Sequence, residues 1–242
     1  MSNTILHKAA TRGHADHGWL DSYHSFSFAG YYNPERTQFG VLRVLNDDMV
    51  AGGRGFGSHP HDNMEIISIP LEGSLVHEDN MGHKEVVSAG EIQVMSTGSG
   101  VFHSEYNNSP DKPVKFLQIW LFPNKLNVEP RYDQVKIDRE KGDNQLQQLI
   151  SPYRSEEGSW IYQDAWFFSG HFDTDKEFTY EKKKGENGVY LFVLKGSFTT
   201  DGQKLESRDG LGITGSGVIR LKSLEPDSEI LIMDVPMENK IK

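Results

Sequence analysis

The sequence predicts an all-β protein with two lobes, and three observations support this fold class. Short apolar runs alternate with turn residues over residues 39–122 and again from residue 160 onward, at the spacing expected of antiparallel strands. A polar stretch with two prolines separates the two regions. The two regions also resemble each other in sequence, which favours a repeated β-unit over one large domain.

The first lobe contains six apolar runs. Between them, Glu72-Gly73, Asn80-Met81-Gly82 and Ala89-Gly90 supply the residues that hairpin turns need. Helical periodicity does not separate these runs, so the pattern predicts a β-meander and not alternating strands and helices. The runs are FGVLRVL, EIISIPLEG, SLVHEDN, KEVVSAG, EIQVMS and VKFLQIWLF.

A connector follows at roughly residues 123–159, and its residues 144–150 predict a helical turn or two. The β-pattern then returns in IYQDAWFFSGHF, GVYLFVLKGSFTTDG, LGITGSGVIRLKS and EILIMDVP. GVYLFVLKGSFTTDG resembles EIISIPLEGSLVHEDNMG, and SRDGLGITGSG resembles VSAGEIQVMSTGSG. These similarities predict an internal duplication.

The composition excludes several classes of function. A formal net charge of −10 and a pI near 5.4 repel phosphate backbones and anionic membrane surfaces, so no direct nucleic-acid or membrane partner is expected. The chain has no cysteine, which leaves His, Asp and Glu as its strong metal ligands. We find no secretory signal and no apolar run of membrane-spanning length, and we therefore expect a cytoplasmic protein.

Two pairs of candidate ligands share an i, i+2 spacing. His59 and His61 form one pair, and His103 and Glu105 form the other. On strands, this spacing places both side chains of a pair on one face. Two such pairs on facing strands can close a four-ligand shell and leave one or two positions for water, substrate or dioxygen. Glu65 has the same parity as the first pair and remains an alternative acid.

The histidines are unevenly distributed, since nine of the ten precede residue 104 and only His171 follows. A metal site is therefore expected in the first lobe only. An H-x-H pair alone also suits hydrogen bonding on a half-exposed strand, and it is the second pair that favours a metal. GGRGFG, at residues 52–57, does not match a dinucleotide-binding loop and is interpreted as a loop at the mouth of a barrel.

Other histidines have other expected roles. The N-terminal ones are expected to be structural, in a segment whose aromatic residues cap the barrel. The two that flank the predicted turn after residue 79 are expected to be solvated. The first group is His14, His17 and His24, with Trp19, Tyr23, Phe26 and Phe28, and the second is His77 and His83.

These motifs resemble known families. Gly53-x5-His59-x-His61-x3-Glu65, followed by Gly73, is similar to the first cupin motif, with one extra residue before the last glycine. Gly90-x5-Ser96-x-Gly98-x4-His103-x3-Asn107 resembles the second cupin motif in a looser form. RGHADHGWLDSYHSFSFAGYYNP, FGVLRVLNDD, GFGSHPHDNMEI and GSGVFHSEYN are typical of the pirin family. The resemblance is strong over the first 135 residues and weak beyond them.

The resemblance implies a bicupin, with two stacked antiparallel β-barrels of the jelly-roll type and few short helices. Residues 1–135 would form a metal-binding cupin barrel, and residues 136–242 a degenerate barrel without metal ligands. The pirin pattern implies that the ligands are His59, His61, His103 and Glu105. The general cupin pattern would instead nominate Glu65, which we interpret as a nearby structural acid.

The family also implies an activity. Three imidazoles and one carboxylate suit one divalent transition metal, Fe(II) above all, and tolerate Mn, Co, Ni, Cu or Zn. Several pirins resemble quercetin 2,3-dioxygenases, which predicts cleavage of a flavonol by dioxygen with release of carbon monoxide. Glu105 would be both ligand and general base. The alternative is a non-catalytic, metal- or redox-dependent regulatory protein that binds a protein partner.

Overall fold

The structure is a computed structural model that describes residues 3–215 and 217–242. Strands account for most of these residues, and the one helical element among them is a short 3-10 helix, Ala9–Thr11. In the same ranges, no helix has the length and apolar character needed to cross a membrane. The predicted all-β fold class is confirmed.

The chain forms two compact units. The first lobe comprises Gly13–Ile137, Ile161–Gln163 and Asn239–Lys242, and the second comprises the chain up to Arg12, Asp138–Trp160 and Asp164–Glu238. The sequence had placed the whole N-terminus in the first lobe. The structure differs because the first strand pairs with a strand of the second lobe.

Twelve strands precede residue 137. In chain order they are β1 (Asn3–His7), β2 (Gly13–Asp16), β3 (Leu20–His24), β4 (Leu42–Val50), β5 (Gly55–His61), β6 (Glu65–Glu72), β7 (Ser74–Asp79), β8 (Lys84–Ser88), β9 (Glu91–Ser96), β10 (Val101–Asn107), β11 (Val114–Leu121) and β12 (Arg131–Lys136).

The first lobe consists of two sheets. Its larger sheet has the spatial order β12-β9-β6-β11-β4-β3-β2, and its smaller sheet has the order β5-β10-β7-β8. Val50 of β4, Leu75 of β7 and Phe116 of β11 belong to one buried cluster, so apolar side chains of both sheets form a common core. This arrangement follows from the alternation of apolar and polar residues, which gives each strand one inward face.

Ten strands follow. They are β13 (Gln147–Ser151), β14 (Ser159–Trp160), β15 (Trp166–Phe172), β16 (Glu177–Glu181), β17 (Asn187–Lys195), β18 (Ser197–Thr200), β19 (Gln203–Glu206), β20 (Gly210–Thr214), β21 (Val218–Ser223) and β22 (Ser228–Pro236).

The second lobe repeats the architecture of the first. Its sheets have the orders β1-β20-β17-β22-β15-β13-β14 and β16-β21-β18-β19, again seven and four strands. The strands β6, β7 and β9 thus correspond to β17, β18 and β20, as the predicted duplication requires. The core of the second lobe is filled by apolar side chains such as Phe172, Tyr180 and Phe198.

The predicted helical turn at residues 144–150 is wrong. Gln147–Ser151 forms β13, which pairs antiparallel with β15. In this position Leu149 is 2% exposed and Ile150 is fully buried. The local sequence is polar and carries little strand signal, so the tertiary partner decides its conformation.

Candidate metal centre

Three histidines meet on two neighbouring strands of the smaller sheet of the first lobe. Strands β5 and β10 are antiparallel, and His59 lies directly opposite His103. His61 lies two residues from His59 and so projects to the same side. The ring centroids are 4.5 Å apart for His59 and His103, 4.8 Å for His59 and His61, and 5.0 Å for His61 and His103.

This cluster has the chemistry of a cation site. One nitrogen from each ring lies within 4.8 Å of the other two. His103 is only 1% exposed, and neither of its ring nitrogens has a hydrogen-bond partner in the part of the chain that the structure describes. His59 Nδ1 donates to the carbonyl of Gly57 at 2.7 Å, which leaves Nε2 as its free lone pair.

Burial also favours the neutral form of His61 and His103, which is the form of imidazole that binds metals. Burial, with the nearby His59, lowers the pKa of His61 to about 4. Burial, with the nearby His59, His61 and His77, lowers the pKa of His103 to about 2. Buried unprotonated nitrogens without partners therefore fit a bound cation.

Glu105 lies two residues beyond His103 and is 2% exposed. Its carboxylate accepts hydrogen bonds from Ser68 Oγ at 3.0 Å, Gln118 Nε2 at 2.9 Å and Gln93 Nε2 at 3.4 Å. The donors come from three neighbouring strands of the larger sheet. A carboxylate accepts hydrogen bonds only, so this trio holds the side chain in one orientation.

A register shift between His103 and Glu105 sets the position of the acid. His103 pairs with His59, whereas Glu105 pairs with Phe56, so one residue of β5 is skipped. At the next position Gly55 approaches β10 so closely that a Cβ atom there would lie 2.3 Å from the carbonyl oxygen of Glu105. A side chain at residue 55 would push the strands apart and displace Glu105.

A second group of possible ligand atoms consists of His77, His103 and Glu105, again within 4.8 Å of one another. His77 lies directly opposite Glu105 on β7 and is fully buried. Its Nε2 lies 3.0 Å from Asp79 Oδ2, and its Nδ1 has no partner among the described residues. Glu105 therefore shares a group with His103 but not with His59 and His61, and the sequence did not indicate His77.

The expectation that His77 is solvated is wrong. His77 has the same parity on β7 as Leu75, which is also buried, so the alternation of the strand points both side chains inward. The i, i+2 spacing of Leu75 and His77 could have predicted this burial, but the turn that follows residue 79 suggested an exposed position. His83 lies at the turn, half-exposed, with Nδ1 2.8 Å from Asp79 Oδ2.

Glu65 occupies a different environment. It is 1% exposed, accepts a hydrogen bond from Ser96 Oγ at 2.7 Å and another from the backbone N–H of Tyr162. Burial raises its pKa to about 7. Neither group of candidate ligands among the described residues includes Glu65.

A cavity of about 840 Å³ adjoins the histidine cluster. Its volume lies in the range of pockets that hold small organic ligands, and its walls are rich in aromatic rings. His14, His17 and His24 line the cavity as well, so the N-terminal segment forms part of the cavity wall. The aromatic residues that line it are Trp19, Phe28, Tyr31, Phe56 and Trp120.

Three polar residues of this cavity were not indicated by the sequence. Ser22 lies on β3, and Asn46 and Asp48 lie on β4. All three are at most 5% exposed. Asn46 and Asp48 share the parity of the core residue Val50, and this alternation is the signal that could have identified them.

Comparisons with known proteins show similarity over almost the whole chain. A family model described as Pirin matches residues 6–121, and one described as Quercetinase C-terminal cupin domain matches residues 148–235. The chain is 42% identical over 231 residues to a quercetin 2,3-dioxygenase of Escherichia coli K12, covering 96% of this chain and 98% of that protein.

Two further similarities agree with these. A putative quercetin 2,3-dioxygenase of Pseudomonas aeruginosa is 38% identical over 224 residues, covering 92% of this chain and 95% of that protein. The crystal structure of the bacterial pirin YhhW from Escherichia coli, in complex with nickel(II), superposes with a TM-score of 0.91 at 40% identity. That match covers 97% of this chain and 99% of the other.

Proposed function

The chain belongs to the pirin family, and from this membership we propose that it is a metal-dependent dioxygenase that cleaves the central ring of flavonols such as quercetin with release of carbon monoxide. The observation that carries the proposal is the cluster of three histidines at the wall of a cavity rich in aromatic residues. A relative that shares 42% of its residues over almost the full length is named for this reaction.

One divalent ion would be held by His59, His61, His103 and Glu105. Three imidazole nitrogens and one carboxylate form a nitrogen and oxygen donor set that suits Fe(II) and other first-row ions. Nickel(II) is the ion in the similar E. coli structure. When bound, such an ion supplies Lewis acidity and an open position at which dioxygen and a substrate oxygen can meet.

The cavity walls bind and orient a flat aromatic substrate. Trp120 stands edge-on to His61, with centroids 4.9 Å apart, and Phe56 and Trp19 contact each other edge to face at 5.4 Å. These rings offer apolar surface to an aromatic ligand and exclude water from the reacting atoms. The substrate would therefore lie between the aromatic walls with one oxygenated edge toward the histidines.

Glu105 would act as the general base. It would accept the proton of the flavonol 3-hydroxyl, a transfer that requires a carboxylate oxygen within about 3 Å of that hydroxyl. Ser68, Gln93 and Gln118 hold the carboxylate in a fixed orientation, which reduces the reorganisation needed during proton transfer. Loss of the proton makes the flavonol more electron-rich and easier to oxidise.

Oxygen consumption tests the proposal. We expect the Fe(II)-loaded protein to consume dioxygen in proportion to the loss of flavonol absorbance, with carbon monoxide as a product. Parallel samples loaded with Ni(II), Mn(II), Co(II), Cu(II) or Zn(II) would establish which ion supports turnover. If none of the loaded forms consumed dioxygen with any flavonol, the proposed function would be wrong.

A further inference from the structure

A row of polar side chains crosses the larger sheet of the first lobe. Five residues on five neighbouring strands are direct cross-strand partners, so their side chains lie on one face of the sheet. All five are buried, with at most 8% of their surface exposed. In spatial order they are Gln93, Ser68, Gln118, Asn46 and His24.

The first half of this row already has a function. Gln93, Ser68 and Gln118 all donate hydrogen bonds to Glu105. Polar groups in a buried position cost free energy unless they are hydrogen-bonded, and here the carboxylate from the opposite sheet satisfies them. This half of the row explains how Glu105 is held.

The second half of the row has no such carboxylate. Asn46 is 2% exposed, and its Oδ1 has no hydrogen-bond partner in the described ranges 3–215 and 217–242. Next to it on β4, Asp48 accepts a hydrogen bond from Ser22 Oγ, and that hydroxyl lies 2.8 Å from His24 Nε2. Asp48 is directly opposite Ser22 in the register, and Asn46 is opposite His24.

Both halves of the row open onto the same cavity. Glu105 and Gln118 line it together with Ser22, Asn46 and Asp48. The cavity thus has a second polar region that takes no part in holding Glu105.

From this arrangement we propose that Asn46 and the Asp48–Ser22–His24 chain form a recognition surface for hydroxyl groups on a substrate ring distant from the one that reacts. The inference rests on the proposed function and narrows its substrate class to flavonols that carry hydroxyl groups on the pendant ring. A phenol hydroxyl donates and accepts hydrogen bonds, so it can donate to Asn46 Oδ1.

Two further observations support a neutral, hydroxylated ligand over other classes. Trp120 also lines the cavity, and its buried Nε1 lacks an acceptor among the residues that the structure describes, so it can donate to a ligand oxygen. Burial raises the pKa of Asp48 to about 7, because a charged carboxylate is poorly solvated in this region.

The test compares two flavonols on the metal-loaded protein. Quercetin carries hydroxyls on its pendant ring, and galangin is the flavonol that lacks them. We would measure their dissociation constants without oxygen, by fluorescence titration, so that binding is separated from turnover. We expect the wild-type protein to bind quercetin roughly tenfold more tightly than galangin, because a missing hydroxyl leaves buried polar groups unpaired.

Asn46→Leu should reduce this preference to about two- or threefold by weakening quercetin binding and not galangin binding. Ser22→Ala is a smaller change on the same surface and should also weaken quercetin binding. It serves as the test if Asn46→Leu folds poorly. Thr200→Val is the matched control, since the buried hydroxyl of Thr200, in the second lobe, has no hydrogen-bond partner among the described residues. It should leave the preference unchanged.

Equal binding of the two flavonols by the wild-type protein would overturn the inference, as would an unchanged preference in both surface variants. These results are separable from the proposed function. Oxygen uptake without a binding preference would support the dioxygenase activity and refute the recognition surface. If the wild-type protein preferred quercetin and both variants lost this preference, but the wild type consumed no oxygen, the recognition surface would be supported and the dioxygenase activity would be refuted.

Discussion

His77 and Glu105 lie directly opposite each other on adjacent antiparallel strands, and the Nδ1 of His77 has no hydrogen-bond partner in the described structure. The other nitrogen, Nε2, is engaged by Asp79 at 3.0 Å. This contact restrains the orientation of the ring, and one nitrogen of His77 lies within 4.8 Å of ligand atoms of His103 and Glu105. His77 is therefore a further candidate residue of the site, beside the four that the sequence indicates.

We expect His77→Phe to weaken metal binding by roughly ten- to a hundredfold, because residues that surround metal ligands commonly contribute this much. A competition titration with a metal chelator would measure the affinity. His83→Gln is the matched control, since His83 contacts the same Asp79 but is half-exposed and belongs to neither ligand group. Equal losses in both variants would contradict a specific role of His77.

His103→Gln should lose at least about a hundredfold in metal affinity, because His103 is common to both ligand groups and its two nitrogens are buried without partners in the described chain. The metal content after dialysis, measured by mass spectrometry, would show the loss. His171→Gln provides the control, since His171 lies in the second lobe and contacts Asp143 and Asp227. Full metal content in His103→Gln would refute the proposed ligand set.

Glu105→Gln should reduce kcat by about a hundredfold or more and change KM much less, since an amide of similar shape cannot accept the substrate proton. Stopped-flow absorbance of the flavonol, at matched metal content, separates the two constants. Normal turnover in this variant would remove the base assignment. A loss of metal without a loss of turnover per bound metal would assign Glu105 to ligation alone.

Glu65→Gln tests the buried acid through stability. Because the folded-state pKa of Glu65 is about 7 and its ordinary value is 4.5, the folded protein binds the proton more tightly than the unfolded chain. The stabilisation from the neutral carboxyl is therefore complete at low pH and is lost as pH rises from about 4.5 to about 7. The free energy of unfolding that is lost in this way is at most about 3 kcal/mol.

Thermal unfolding at about pH 5 and pH 8 would measure this effect. Relative to wild type, Glu65→Gln should gain stability as the pH rises, whereas Glu72→Gln, an exposed substitution on the same strand, should not. Parallel pH dependence of wild type and Glu65→Gln would show that Glu65 does not titrate in this range.

The sequence predicted those features that depend on local periodicity. His59 and His61 were predicted as ligands because residues two apart on a strand share a face, as were His103 and Glu105, and the fold class followed from the alternating runs. The polar row from Gln93 to His24 could not be predicted, because it depends on the order β9-β6-β11-β4-β3. These residues are far apart in the sequence, and only the pairing of the strands in the folded sheet brings them into register.

Membership of β1 in the second lobe determines when that lobe can be completed during synthesis. The backbone partner of β1 is β20, where Thr4 pairs with Ile213, on the order of 200 residues later. Until the ribosome releases β20, the first strand to emerge has no native partner. A C-terminal fragment expressed alone would carry β20 as a bare edge, open to pairing with other chains. The second half of the duplication therefore depends on the N-terminal strand to cover one edge of its larger sheet.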